Sequence, residues 1–144
     1  MKTIAKRSLG IVAGVSLGFA PVLTPAQAAS SVAAVQYENT PLGPRGTVIL
    51  EQLNQVRAWN GLPAIEGERG WCQRQTALQL AAASAFQHGS CDSVLARGHD
   101  VYDFGRAWNE SDAHRELILQ ATSARIASSV TSDGQVLAVV ELRY

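Results

Sequence analysis

Two apolar segments at the end of the chain constrain the fold most strongly. Ile126–Thr131 and Val136–Leu142 flank Ser132–Gln135, whose Asp-Gly dipeptide is typical of a β-hairpin turn. If Ser132 lies opposite Gln135, both faces of the hairpin carry apolar side chains. One face then holds Ile126, Ser128, Val130, Leu137 and Val139, and the other holds Ala127, Ser129, Ala138, Val140 and Leu142. A hairpin of this kind needs cover on both faces, so we expect an α+β fold, a small α-β-α sandwich with a C-terminal β-hairpin.

Helical periodicity predicts three helices before this hairpin. The first begins at Thr47 as N-cap and ends at Gly61, a residue suited to the left-handed stop. The second covers about Arg74–Gln87 and is rich in alanine, and the third covers Ser111–Leu119 with Ser111 as N-cap. The connection Ser90–Arg106 is loop-like, apart from a short segment at residues 100–104 that could be extended.

The N-terminus has the pattern of a secretory signal peptide. Three basic residues, Lys2, Lys6 and Arg7, precede the apolar stretch Ser8–Leu23, and a small-x-small motif ends at Ala28. The apolar stretch has 16 residues, fewer than the roughly 20 that span a bilayer. We therefore expect a secreted, extracellular protein without a membrane span, cleaved after residue 28.

Charge and length define the remaining organisation. Residues 29–46 are small, polar and proline-containing and predict a flexible arm, and residues 47–144 predict one domain. Without the leader, nine arginines face twelve acidic residues, a net charge of −3. The sequence shows no basic patch, which argues against nucleic acid as a partner.

Cys72 and Cys91 are expected to form a disulfide, because the chain is exported. An unbroken helix from Cys72 to His88 would be about 24 Å long, and three residues return only about 10 Å. The bond therefore requires a second helix that starts late, near Arg74–Thr76.

Two histidines lie on apolar helix faces. His114 falls in the first turn of the third helix, on the face of Leu117 and Ile118, where the positive helix end favours a neutral imidazole. His88 closes the apolar stripe of the second helix. Each has a structural alternative: His114 as a core histidine bonded to a carbonyl, and His88 as a residue that contacts the last helix carbonyls. Spacing alone leaves open a tertiary metal site made from both histidines and one carboxylate.

Several enzyme classes lack their motifs in this chain. It has no Gly-x-Ser-x-Gly, Walker loop, dinucleotide fingerprint or His-Glu-x-x-His. Ser90 has no context that would activate it as a nucleophile.

The order of several short motifs resembles the CAP superfamily (cysteine-rich secretory proteins, antigen 5 and pathogenesis-related proteins). The resemblance covers about residues 47–144. The motifs are Leu53-Asn54-Gln55-Val56-Arg57 followed by Gly61-Leu62-Pro63, then His88-Gly89-Ser90, then Ala107-Trp108, Ser111-Asp112-Ala113-His114-Arg115 and Ile118-Leu119. The resemblance implies an α-β-α sandwich in which two histidines and two glutamates share a cavity that can take a divalent cation.

Carried over residue by residue, the resemblance assigns His88 and His114 to the two histidines of that cavity, where a cation such as zinc would bind. The family glutamate is absent, and Asp103 or Asp100 is its nearest counterpart, with no means to choose between them. Trp108 is a candidate cavity wall. The segment before Trp108 is short, which leaves open whether the family's third helix is present.

Other polar residues fit ordinary surface roles. Glu110 is a weak candidate for the second carboxylate, and a solvated charge at the helix start explains it better. Asp112 fits a dipole partner in the first turn, and His99 a surface loop residue.

The sequence thus predicts a secreted, non-enzymatic binding module. Its ligand would be a small apolar or cell-envelope molecule, or a divalent metal, held in a cleft lined by histidines. One alternative is a hydrolase of cell walls or peptides with His114 as general base. Another is a degenerate member that acts only as a protein-interaction surface, which a His88–His114 separation well beyond about 8 Å would favour.

Overall fold

The computed structural model describes residues 41–144, so the predicted signal peptide and most of the predicted arm lie outside the described residues. This part of the chain folds into four helices and four strands. They are α1 (Pro44–Trp59), β1 (Glu66–Arg69), α2 (Trp71–Ala82), β2 (Val94–Gly98), a 3₁₀ turn (Val101–Asp103), α3 (Phe104–Glu110), α4 (Asp112–Gln120), β3 (Ser123–Val130) and β4 (Val136–Arg143). From residue 41 onward, we find no helix with the length and apolar character needed to cross a bilayer.

The four strands form one mixed sheet in the order β1-β3-β4-β2, with β1 parallel to β3 and the other pairs antiparallel. Helix α2 covers one face with a small core, and α1, α3 and α4 cover the other with a larger one. The smaller core contains Ala77, Leu80, Ala81, Leu95, Leu137 and Val139. The larger core includes Ile49, Leu53, Val56, Phe104, Trp108, Ile118, Ile126 and Val140. The predicted α+β class and α-β-α sandwich are therefore confirmed.

The hairpin pairs one residue away from the predicted register. Val130 lies opposite Val136, so the loop is Thr131–Gln135 and its tip is a turn closed by Gly134 N–H donating to the Thr131 carbonyl at 2.9 Å. Gly134 has φ +81°, the left-handed residue that follows a type I turn in this kind of loop. The prediction of which side chains share a face was therefore wrong. Ile126 lies opposite Val140 and shares its face, whereas Leu137 points to the other face.

Two strands and one helix were not predicted. Strands β1 and β2 lie at the two edges of the sheet, and β1 is a short charged segment, so neither has a strong periodic pattern. The residues at 100–104 are not extended, because they form the 3₁₀ turn and the start of α3.

Helix α1 begins earlier than predicted. Its N-cap is Gly43, and Pro44 occupies the first helical position, where proline's missing N–H costs nothing. Thr47 lies inside the first turn and its hydroxyl donates to the Gly43 carbonyl at 3.2 Å. Leu42 packs against the larger core, so the domain starts within the predicted arm and the boundary at 46/47 was wrong.

Helix α2 ends earlier than predicted, at a Schellman motif. Ser84 adopts φ +50°, its N–H donates to the Ala81 carbonyl at 3.3 Å, and the Ala85 N–H donates to the Leu80 carbonyl at 2.9 Å. Ala85 also packs against the smaller core. The predicted range Arg74–Gln87 was wrong because Ser84 takes the left-handed position and ends the helix earlier.

The early end of α2 makes the predicted disulfide possible. Cys72 and Cys91 are bonded, with their Cα atoms 5.9 Å apart. Cys72 lies in the first turn of α2, so the expected late start of the helix was wrong. The chain returns from residue 83 onward, which gives it enough residues to reach Cys91.

A buried arginine joins α1 to the end of α4. Arg57 is 6% exposed, and its Nη1 donates to the carbonyls of Ile118 at 2.8 Å, Leu119 at 3.1 Å and Ala121 at 3.0 Å. Its Nε donates to the Pro63 carbonyl at 2.8 Å. These carbonyls include orphan acceptors at the C-terminus of α4, where the helix dipole also favours a cation.

We expect Arg57→Met to lower the free energy of unfolding by about 3 kcal/mol, because buried carbonyls lose their donor. Urea denaturation measures the change. Arg106→Met is the control, since Arg106 is exposed and pairs with the exposed Asp103 at 2.9 Å, and its change should stay below about 0.5 kcal/mol. Equal losses in the two variants would contradict the proposed role of Arg57.

Helices α1 and α3 cross closely at Gly105. A Cβ atom on Gly105 would lie 2.9 Å from Gln52 Oε1 and 3.0 Å from the Gln52 carbonyl oxygen. The Gly105 N–H donates to the same Oε1 at 3.2 Å. A larger residue at position 105 would therefore require Gln52 or the backbone of α1 to shift.

We expect Gly105→Ala to destabilise the protein by about 1–3 kcal/mol through this clash, although alanine favours an isolated helix by about 1 kcal/mol. Thermal or urea unfolding shows whether Gly105→Ala lowers or raises the free energy of unfolding. Gly98→Ala serves as the control, since its new methyl would meet Phe104 at an ordinary 3.4 Å. A stabilising effect of Gly105→Ala would show that the crossing has room to spare.

Candidate functional site

The structure brings His88 and His114 together. Their ring centroids are 6.3 Å apart and the ring planes are tilted by 35°. His114 lies in the first turn of α4, as predicted, and Ser111 is its N-cap residue. His88 is not at a helix end, since it lies in the segment of residues 83–93 that connects α2 to β2.

The two imidazoles come from opposite layers of the sandwich. The chain leaving α2 returns along one face and continues into β2, the edge strand of the sheet. Helix α3, which leads into α4, is joined to the same strand because Trp108 Nε1 donates to the Leu95 carbonyl at 2.9 Å. The pair therefore joins elements that the sheet would otherwise separate.

Asp92 orients His88 and was missed by the sequence analysis. Its Oδ2 contacts His88 Nδ1, its Oδ1 accepts from the Gly89 N–H at 2.7 Å, and its side chain is fully buried while that of His88 is 55% exposed. An ionised carboxylate only accepts hydrogen bonds, so in the neutral tautomer that bonds to Asp92 through Nδ1–H, the Nε2 lone pair of His88 is left for a ligand. The signal available in the sequence was an aspartate four residues after His88.

The segment that carries His88 and Asp92 is fixed at several points. The disulfide holds Cys91, and Gln73 Nε2 donates to the Cys91 carbonyl at 2.6 Å. Ser93 follows at once, with its N–H donating to the Val140 carbonyl at 2.7 Å. A coil segment held in this way can keep a side chain in one position.

Burial and charge act together on His114. Desolvation by burial, and secondly the charge of His88, hold the pKa of His114 below its ordinary value of 6.5. The neutral imidazole is therefore the dominant form near neutral pH, and its lone pair is free to accept a proton or bind a cation.

The two predicted aspartates, Asp100 and Asp103, bond to residues other than the histidine pair. Asp100 Oδ1 accepts from the Tyr102 N–H at 2.9 Å and caps the 3₁₀ turn. Asp103 pairs with Arg106 at 2.9 Å, and both side chains are exposed. The expectation that one of them replaces the family glutamate beside the histidines gains no support, and Asp92 is the carboxylate that contacts His88.

The other candidate residues lie in the core or on the surface of the domain. Trp108 is 1% exposed and packs on Phe104 with centroids 5.9 Å apart, so its assignment to a ligand cavity was wrong. Asp112 pairs with Arg115 in the first turn of α4, and Glu110 is exposed. His99 is an exposed residue whose Nε2 lies 3.5 Å from Gln135 Nε2.

The histidine pair is partly exposed, since the side chain of His88 is 55% exposed and His114 is half-buried. Two clefts, of about 490 Å³ and about 340 Å³, lie on either side of the start of α1, and neither is lined by His88 or His114. Within residues 41–144, no three His, Cys, Asp or Glu side chains are positioned to hold a metal ion together. The pair alone would supply two imidazole ligands, fewer than the three protein ligands of a typical catalytic zinc site.

We expect His114 to titrate below pH 6.5 and its pKa to rise part of the way toward that value in His88→Gln, which removes the charge but keeps the burial. NMR titration of the imidazole signals measures both values. An unchanged His114 pKa in His88→Gln would contradict the electrostatic coupling of the two rings.

The lowered pKa of His114 also predicts how the free energy of unfolding changes with pH. Because the folded-state pKa of His114 is lowered, its contribution to stability is complete above pH 6.5 and is lost as the pH falls through the folded value. The free energy of unfolding should therefore fall less steeply below pH 6.5 in His114→Gln than in the wild type.

Comparison with known proteins gives the fold and no family. No protein-family model matches the chain, and no curated protein sequence matches it. One solved structure that is similar is that of an outer surface protein from Borrelia burgdorferi, with a TM-score of 0.50 and 13% sequence identity. The alignment covers 69% of this chain and 93% of that protein, and at this identity the likeness concerns the fold alone.

Proposed function

We propose that this protein is an exported, non-enzymatic binding domain whose ligand site is the pair His88 and His114. The ligand that suits this site best is a divalent metal ion such as zinc. The observation that carries the proposal is the 6.3 Å separation of the ring centroids, which is short enough for both rings to reach one ion.

The chemistry of the pair suits a metal ion. Asp92 accepts from Nδ1 of His88, the arrangement in which a carboxylate orients a metal-binding histidine and raises its basicity. The lowered pKa of His114 keeps that ring neutral, as a metal ligand must be. Water or atoms of a further ligand would fill the remaining positions, since the described residues supply no third side chain.

The exposure of His88 favours an ion over an apolar molecule. Sites for apolar ligands enclose most of the ligand surface, whereas the side chain of His88 is 55% exposed and Trp108 belongs to the core. The expected cell-envelope ligand with apolar walls is therefore the weaker form of the binding hypothesis.

A hydrolase that uses His114 as general base has less support. In the described part of the chain, no hydroxyl or thiol forms a hydrogen bond with either imidazole, and Cys72 and Cys91 are bonded to each other. The hydrolytic alternative would have to rely on an activated water.

The disulfide supports export, because a bond such as Cys72–Cys91 is typical of oxidising compartments. Membership of the CAP superfamily remains a proposal. It is supported by the order of the sequence motifs and by the pairing of the two histidines that match the family pattern.

Calorimetric titration of the purified chain with zinc tests the proposed site. We expect one ion per chain, and we expect His88→Ala and His114→Ala to weaken binding at least about tenfold. Asp92→Asn should lower the affinity by about 10–100-fold, because it removes the orienting carboxylate.

His99→Ala is the matched control, since it removes an exposed imidazole outside the pair and should leave binding unchanged. Equal affinities of the wild type, His88→Ala and His114→Ala would remove the metal site. Circular dichroism of each variant verifies that the fold is retained.

A further inference from the structure

We propose a second binding site, for a phosphate group, in the cleft of about 490 Å³ beside the start of α1. Its lining includes the three arginines Arg45, Arg69 and Arg74. No residue of this cleft belongs to the histidine site, so this inference is independent of the proposed metal ion.

The three arginines reach the cleft from three different elements. Arg45 lies in the first turn of α1, Arg69 is the last residue of β1, and Arg74 lies in the first turn of α2. Strand β1 ends at the pair Arg69–Ile126, while β3 continues beyond it. The cleft therefore lies where the sheet loses its outer strand, and the fold itself brings these cations together.

The arginine of β1 lies against the end of a helix. A Cβ atom on Gly43 would be 3.2 Å from Arg69 Nη2, which places this guanidinium beside the N-cap of α1. That end of the helix has no acidic residue in its first turn and no side-chain cap. A cation at the positive end of a helix is unfavourable, and an anion that contacts both would offset the repulsion.

The charge distribution of the whole chain makes this cluster unusual. Residues 29–144 carry a net charge of −3, with nine arginines, yet three of those arginines line one cleft and the lining contributes no described carboxylate. A guanidinium has five N–H donors, so each arginine can hold a neighbouring group and an anion at once.

Phosphate suits this lining better than a single carboxylate. Guanidinium groups bind phosphate oxygens in pairs, and a phosphate presents enough oxygens for three arginines. Leu42, Ile126 and Ala127 add an apolar wall, which suits the carbon part of a phosphomonoester. The phosphate could belong to a soluble phosphomonoester or to a lipid headgroup.

Titration of the purified chain with inorganic phosphate, followed by NMR, tests the site. We expect saturable shifts at residues 42–46 and 126–128, and about tenfold weaker binding in each of Arg45→Gln, Arg69→Gln and Arg74→Gln. Arg106→Gln is the control because it removes an exposed arginine outside the cleft. Thermal unfolding of each variant verifies the fold.

A second arm separates the two sources of phosphate. Phosphatidylcholine vesicles with and without phosphatidic acid are tested for binding of the chain, and inorganic phosphate is added as competitor. Binding in either arm that falls in the three cleft variants and not in Arg106→Gln supports the site. The proposal is overturned if saturable binding is absent from both the phosphate and the vesicle experiment. It is also overturned if Arg106→Gln weakens binding as much as the three cleft variants do.

Discussion

The buried guanidinium of Arg57 is the interaction on which the position of α4 depends. A buried cation without a carboxylate is costly unless all its donors find acceptors. Here the acceptors are the carbonyls of Pro63 and of the last turn of α4. Because α4 is only nine residues long, fixing its last turn against α1 also fixes its first turn, which carries His114.

The histidine site combines that helix with a covalently held loop. The disulfide, Gln73 and Ser93 position the chain around Cys91. The buried carboxylate of Asp92, the next residue, contacts the His88 ring and holds it in place. Both halves of the site are also bonded to the backbone of the sheet. The Ser93 N–H donates to the Val140 carbonyl of β4, and Trp108 of α3 donates to the Leu95 carbonyl of β2.

The sequence was informative wherever local chemistry decided the structure. The apolar hairpin, the start of α4 at Ser111 and the left-handed Gly61 at φ +74° all follow from patterns within a few residues. The strands β1 and β2 could not be predicted in this way, because their pairing partners are distant in the chain. The left-handed Ser84 was missed because that conformation at a helix end usually belongs to glycine. Asp92 was missed because the family motif points toward Asp100 and Asp103 instead.

The pairing of the hairpin restricts the number of residues that its loop can gain or lose. Thr131 anchors the loop, since the Gln135 N–H donates to its hydroxyl at 3.1 Å, and this fixes Ile126 opposite Val140. Adding or removing two residues at the tip leaves each side chain of β3 on the same face of the sheet. A change of one residue would turn Ile126 toward the face covered by α2 and bring Ser129 toward the larger core, unless a bulge absorbed it. Evolutionary insertions here are thus expected in even numbers.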